Sequence, residues 1–162
     1  MTSPRVFVPD RASARGAVIT DALLEHHVPA VAEQRQRWLG ARPGGALDST
    51  TKELVRLRVA SHTQCEYCNT VRLPADGEPP VAEDLVEAMR SGAVARLSDD
   101  QRAALELADL FLGSPADGDA DPAALSPEAV QETLADLVGA LAFGKFRVML
   151  GLSAAPDEGA YT

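Results

Sequence analysis

Residues 50–72 read TTKELVRLRVASHTQCEYCNTVR, and the reading of this stretch decides the fold. It opens with Thr50, Thr51, Lys52 and Glu53, the pattern of a capping box, in which a Ser or Thr is answered by Glu three residues on. Leu54, Val55, Leu57, Val59 and Ala60 then supply an apolar helical face. Ser61, His62, Thr63 and Gln64 are polar and rich in poor helix formers, so a break is expected there. Cys65 to Leu73 reads as helix again, and Pro74 ends it.

Cys65 and Cys68 are the only cysteines of the chain. A separation of three arises by chance in about 1% of placements of two residues, so the Cys65-Glu66-Tyr67-Cys68 arrangement is informative. On a helix, positions i and i+3 share a face, which lets the two sulfurs approach bonding distance. Such a pair cycles between dithiol and disulfide with little backbone movement, and Cys-x-x-Cys motifs often hold a lowered thiol pKa. Two other readings stand beside this one. The cysteines could be small buried hydrophobes. They could also belong to a zinc site, which would need His26, His27, His62 or a second copy of the motif to complete four ligands.

Glu53 lies twelve residues before Cys65. In one straight helix that is about 18 Å of rise and about 120° of rotation, so the two could not touch. If Glu53 serves the thiols, the chain must break and fold back near His62. Thr63 would then cap a new helix, with Cys65 in its first turn, where the helix dipole favours a thiolate. The plainer reading of Glu53 is the capping-box glutamate, and the two roles are compatible. His62 is a candidate proton acceptor or a solvated linker residue. Arg72, four residues after Cys68, shares its helical face. It stays protonated, so it can stabilise a thiolate, bind an acidic group or form a salt bridge, but it cannot act as a base. Tyr67 can donate a hydrogen bond or simply pack.

Outward from the motif, the pattern is helical throughout. A helix is expected from about Ala12 to Leu24, interrupted at His26-His27-Val28-Pro29 because the residue before a proline avoids the α region. It resumes from Pro29 to Leu39, and residues 40–45 form a loop. Beyond a surface loop at 75–80, a short helix runs from Val81 to Arg90. Ser98-Asp99-Asp100-Gln101 is a second capping box, opening a helix to about Leu112. Residues 113–125 are a Gly, Asp and Pro-rich linker. Its Asp117-Gly118-Asp119-Ala120-Asp121 run resembles a calcium loop only superficially and reads as a solvated linker. Ser126-Pro127 opens the last helix, to about Leu152, with Pro in the first turn. Trp38 reads as a core or interface anchor. The whole predicts one all-α domain over residues 1–162, of about six to eight helices, with flexible arms at 1–10 and 153–162.

Composition fits that picture. Apolar residues make up 46% of the chain and aromatics only 4%, so the core must be mostly Leu, Val and Ala. The formal net charge of −9 disfavours nucleic acid and anionic membranes as partners. Residues 1–16 hold three arginines and no apolar run of leader length, so a cytosolic location is expected. Leu134 to Leu152 is the most apolar stretch, but it carries Asp136, Lys145 and Arg147 and reads as a buried helix rather than a membrane span.

Glu53, eleven intervening residues, Cys65-x-x-Cys68 and the Glu-Leu-Val-x-Leu-Arg-Val-Ala segment resemble the alkylhydroperoxidase D-like signature of the carboxymuconolactone decarboxylase superfamily. The close match covers about Leu47 to Arg72. The resemblance implies an all-α bundle with the motif helix bent so that the glutamate reaches the dithiol. It also implies assembly as dimers, trimers or larger rings such as hexamers. In the peroxidase branch the second cysteine, here Cys68, attacks a hydroperoxide. The first, here Cys65, resolves the sulfenic acid to a disulfide, and an external dithiol reduces it. A glutamate and a histidine relay protons. The sequence departs from the signature at Arg72, where the histidine would stand, which leaves three outcomes: His62 or Glu53 takes the base role, Arg72 holds the thiolate by charge, or the chain has moved to other thiol chemistry or a different substrate. The decarboxylase branch does not rely on the cysteine pair.

The expected function is therefore a peroxidase using Cys65, Cys68, Glu53, His62 and Arg72, with no metal or organic cofactor. Its partners would be a small hydroperoxide, an external dithiol reductant and further copies of the chain. The alternatives are a redox sensor or oligomeric interaction protein without turnover, and a carboxymuconolactone decarboxylase-type enzyme.

Overall fold

The computed structural model describes residues 23–41, 44–73, 78–114 and 121–152. Every regular element among them is helical, as expected: α1 (residues 23–27), α2 (Pro29–Ala41), α3 (Ser49–Thr63), α4 (Glu66–Thr70), α5 (Glu83–Ser91), α6 (Asp99–Leu112) and α7 (Pro127–Met149). Single 3-10 turns occur at Val94–Arg96 and Pro122–Ala124. The expected arms, the start of the first helix and Asp117 to Ala120 lie outside the described residues. The break between α1 and α2 falls on Val28 alone, so His26 and His27 stay helical.

The start of α3 differs from the expectation. Asp48 is its N-cap, accepting from the Thr51 amide at 2.6 Å. The capping box expected of Thr50 and Glu53 does not form, because Glu53 lies a turn beyond Asp48, where no cap can use it. The second box does form: Ser98 Oγ accepts from the Gln101 amide at 3.2 Å, and Gln101 Oε1 accepts from the Ser98 amide at 3.0 Å. Ser126 caps α7 with Pro127 in its first turn.

Helix α3 is the centre of the bundle, buried on nearly every side. Leu54 and Leu57 pack with Val86 and Met89 of α5 and Leu105 of α6. Val55 and Val59 pack with Ala104 and Ala108 of α6 and with Leu137 and Ala140 of α7. The alanines of α6 let its axis come close, which a core poor in aromatic residues requires. A charged pair also fixes this packing, with Arg58 Nε 3.5 Å from Asp109 Oδ1.

Helix α7 closes the bundle through two glycines. A Cβ on Gly139 would stand 2.3 Å from the Trp38 indole, so the indole lies directly on the α7 backbone. A Cβ on Gly144 would come within 3.0 Å of Thr63 Oγ1, which brings the end of α3 against α7. Lys52 is buried and pairs with Glu132 of α7 at 3.3 Å, while Glu132 also accepts from the Leu47 amide at 3.0 Å. No helix among the described residues is long and apolar enough to cross a membrane.

Candidate active site

The polar run after Ala60 does break the helix. Gln64 takes the left-handed conformation at φ 57° and is the only non-glycine with positive φ among the described residues. The Cys65 amide donates to Ala60 O at 3.1 Å and the Gln64 amide to Ser61 O at 3.2 Å. This is a Schellman closure, normally built on glycine. The new helix is capped by Cys65 rather than by Thr63. Cys65 Sγ accepts from the Cys68 amide at 3.2 Å, whereas the Thr63 hydroxyl turns back to donate to Ala60 O at 3.2 Å. The left-handed residue must separate the two helices, so the cap can only follow it.

Helix α4 has five residues, too few to stand alone. Its neighbours hold it. The Ser61 hydroxyl donates to Asn69 Oδ1 at 3.0 Å, and Asn69 Nδ2 donates to Cys65 O at 3.3 Å. Arg56 reaches across from α3, donating from Nη1 to Cys68 O at 2.7 Å and from Nη2 to Val71 O at 2.6 Å. Carbonyls at a helix end lack intrahelical partners, and the guanidinium supplies them.

Glu53 holds that guanidinium. Arg56 Nε donates to Glu53 Oε2 at 2.7 Å and Arg56 Nη2 to Glu53 Oε1 at 2.6 Å, with both side chains less than a tenth exposed. Glu53 Oε1 also accepts from the Leu73 amide at 2.9 Å. The structure thus joins Glu53 to the motif through Arg56 and through the segment that leaves α4.

Cys65 and Cys68 are joined in a disulfide with Cα atoms 5.2 Å apart. The two sulfurs are unequal in access. Cys65 is fully buried, while Cys68 is half-buried and lines an open cleft of about 630 Å³, mouth included. Trp38 from α2, Tyr67 from α4 and Phe143 from α7 give the cleft its apolar walls, and Arg35, Arg56 and Arg147 reach it too. The Trp38 and Phe143 rings lie 5.6 Å apart. The Arg147 guanidinium stacks 3.6 Å over the Tyr67 ring, and its Nη2 donates to Leu152 O at 2.8 Å.

Arg72 makes a two-pronged ion pair with Glu83 of α5, at 2.8 and 3.0 Å. Its Nη1 donates to the carbonyls of Asn69, Thr70 and Val71. The Arg72 hydrogen bond holds the Glu83 carboxyl below its ordinary pKa of 4.5 against the opposing effect of burial, with lesser help from the charges of Arg72 and Arg90. His62 is exposed on the last turn of α3. His26 and His27 meet edge to face at 4.6 Å on an exposed stretch. Among the described residues, no three His, Cys, Asp or Glu side chains gather as a metal site.

A family model, that of the carboxymuconolactone decarboxylase family, matches residues 29–110. The chain belongs to this family. The match runs from the start of α2 into the last turn of α6 and so includes Glu53 and both cysteines. No curated protein and no solved structure matches the chain. Helix α7 lies beyond the matched part, yet it brings Phe143 and Arg147 to the cleft beside Cys68.

Sequence reasoning passed over Arg56 and Arg147. Arg56 left a signal: it stands three residues after Glu53, on the same helical face, within an apolar run. Arg147 left none, because its partner Tyr67 is eighty residues away in sequence.

Proposed function

We propose that this member of the carboxymuconolactone decarboxylase family is a thiol-dependent peroxidase of the alkylhydroperoxidase D-like kind, with Cys68 as nucleophile and Cys65 as resolver. The observation that carries this reading is the unequal access of the two sulfurs. Cys68 meets the cleft, and Cys65 is buried directly behind it. A substrate entering the cleft reaches Cys68 first, and the resolving sulfur waits where no bulky oxidant competes for it.

In the reaction the Cys68 thiolate attacks the outer oxygen of a hydroperoxide. The S–O bond forms, the O–O bond breaks, and the departing alkoxide takes a proton to leave as the alcohol. Cys65 then displaces hydroxide from the Cys68 sulfenic acid, which leaves as water with the second thiol proton. Two electrons pass from the dithiol to the peroxide. An external dithiol returns them by attacking the accessible Cys68 sulfur and expelling Cys65 as thiolate. The Cys68 amide, which donates to Cys65 Sγ, is placed to hold that thiolate.

Arg56 and Arg147 border the cleft, and cationic neighbours favour the Cys68 thiolate. Glu53 is a positioning residue acting through Arg56. Arg72 fastens α4 to α5 through Glu83, and His62 is the candidate to carry the thiol proton to solvent. The reading requires no metal or organic cofactor. The cytosol, which keeps dithiol reductants available, is the compartment it suits. The exposed apolar side chains Leu110, Phe111 and Val138 favour assembly into a homo-oligomer, a dimer, trimer or hexamer.

Cumene hydroperoxide consumption with dithiothreitol as reductant tests the function. Many turnovers per chain are expected, with loss of activity in Cys68→Ser and Cys65→Ser. A single oxidation without turnover would point instead to a redox sensor. A decarboxylase-type activity would survive both replacements.

A further inference from the structure

Asn69 uses every polar group it has, and its bonds tie the cysteine pair to two other helices. Its backbone amide donates to Cys65 O at 3.0 Å, and its side-chain Nδ2 donates to the same carbonyl at 3.3 Å. Its Oδ1 accepts from the Ser61 hydroxyl of α3 at 3.0 Å. Its carbonyl accepts from Arg72 Nη1 at 2.7 Å and from Arg90 Nη2 of α5 at 3.2 Å. The amide can face only one way. Cys65 O is an acceptor, so Nδ2 must meet it, and Oδ1 is thereby turned to Ser61.

Helix α4 has five residues and starts from Cys65 as its cap. So short a helix does not hold itself. While the disulfide stands, the covalent link fixes Cys65 relative to Cys68. Once it opens, the approach of the two sulfurs depends on what holds the Cys65 backbone. Those restraints are the bond from the Cys65 amide to Ala60 O at 3.1 Å and the pair of bonds from Asn69 to Cys65 O. From this juxtaposition we infer that Asn69 is a positioning residue of the dithiol, keeping Cys65 beside Cys68 in the reduced protein and so setting the balance between dithiol and disulfide. The inference rests on the redox use of the two cysteines proposed above and names what regulates it. The disulfide and the Asn69 side chain restrain the same few residues, so each lowers the ordering cost of the other. That coupling is reciprocal: what the side chain does for the disulfide, the disulfide does for the side chain.

The test equilibrates the full chain with glutathione or dithiothreitol buffers and counts free thiols by alkylation and mass measurement. Two buffer thiols lose two electrons and become a disulfide. The protein disulfide takes those electrons, and the two protons pass to Cys65 and Cys68. A net hydrogen bond contributes a factor of roughly 2–12, and Asn69→Ala removes both side-chain bonds. The balance should therefore move toward the dithiol by about tenfold, a potential about 30 mV less negative. Ser61→Ala removes only the partner that orients the amide, and Ser61 is open to water, so about a threefold move in the same direction is expected. Thr70→Ala removes an exposed hydroxyl of the same helix, which donates to Glu66 O at 2.9 Å and touches neither cysteine, and should leave the balance unchanged.

An unchanged balance in Asn69→Ala would overturn the inference, however much stability that variant loses, because a merely structural side chain would support the oxidised and reduced proteins alike. A Thr70→Ala move as large as that of Asn69→Ala would overturn it too, since any weakening of α4 would then suffice. If Asn69→Ala does not fold, Ser61→Ala decides alone, and no move there is the contrary result. The balance is read without peroxide, so it stands apart from the peroxidase reading. Thiols of the parent chain that survive cumene hydroperoxide would sink that reading alone.

Discussion

The Arg56 guanidinium sits between two partners it must serve at once, holding the Cys68 carbonyl at 2.7 Å with one nitrogen and the Glu53 carboxylate with two others. The relationship gives a buried ion pair a purpose beyond stability. Such pairs gain little over apolar replacements, because desolvation offsets the attraction, but removal of one partner is costly. Here the pair fixes the short helix that carries the reacting sulfur.

Replacement of Glu53 by Gln should therefore leave a buried guanidinium without its counter-charge and destabilise the protein by about 3–5 kcal/mol. Urea denaturation of the oxidised protein measures this. Arg56→Met should cost a similar amount, since the buried Glu53 carboxylate then loses its counter-charge. The double variant Glu53→Gln, Arg56→Met should lose markedly less than the sum. Additive losses would show that the two residues act independently, against the linkage described.

The left-handed turn at Gln64 gives a second expectation. A non-glycine residue there costs roughly 1–2 kcal/mol, and Gly would relieve this while adding about 0.5–1 kcal/mol of chain entropy to the unfolded state. Gln64→Gly should thus raise stability by about 0–1.5 kcal/mol, the balance of these two effects. A loss of more than that in urea denaturation would mean that the Gln64 side chain makes contacts essential to the turn.

The Arg72–Glu83 pair sets a pH dependence. The Glu83 pKa is lowered in the folded protein, so its contribution is fully present above its ordinary value of 4.5 and is lost as pH falls through the lower folded value. Glu83 is 69% exposed, which limits the contribution to about 0.2–1 kcal/mol after solvent screening. Stability curves of Glu83→Gln and the parent chain should differ by this amount at pH 7 and converge as pH falls below 4.5 and through the lowered folded value, where the parent chain's Glu83 takes up its proton. A gap that persists undiminished at low pH would contradict the assignment.

Much of the bundle was legible in residue order because local rules decide it. Ser98 and Gln101 form the box their spacing demands, Pro127 stands in the first turn of α7, and the polar run at 61–64 ends α3. The onset of α3 was not, because Asp48 and Thr50 are both good caps, and the choice leaves Glu53 at the fifth helical position. What the charged residues touch was hidden for another reason. Arg56 bonds carbonyls twelve and fifteen residues away, beyond the reversal at Gln64, and Arg72 pairs with Glu83 across a loop. Helical spacing reports neighbours within one helix and nothing of these. The sharing of the cleft among α2, α3, α4 and α7 is a tertiary fact that no window of sequence contains.

The central claim is that Cys68 is the sulfur that meets the oxidant and Cys65 the one that resolves it. A free-thiol count on the reduced protein, before and within seconds after one equivalent of cumene hydroperoxide, tests it most directly. The parent chain should lose both thiols, Cys65→Ser should convert its single thiol to a sulfenic acid trapped by dimedone, and Cys68→Ser should keep its thiol. Retention of both thiols in the parent chain, or oxidation of Cys68→Ser as fast as Cys65→Ser, would contradict the account.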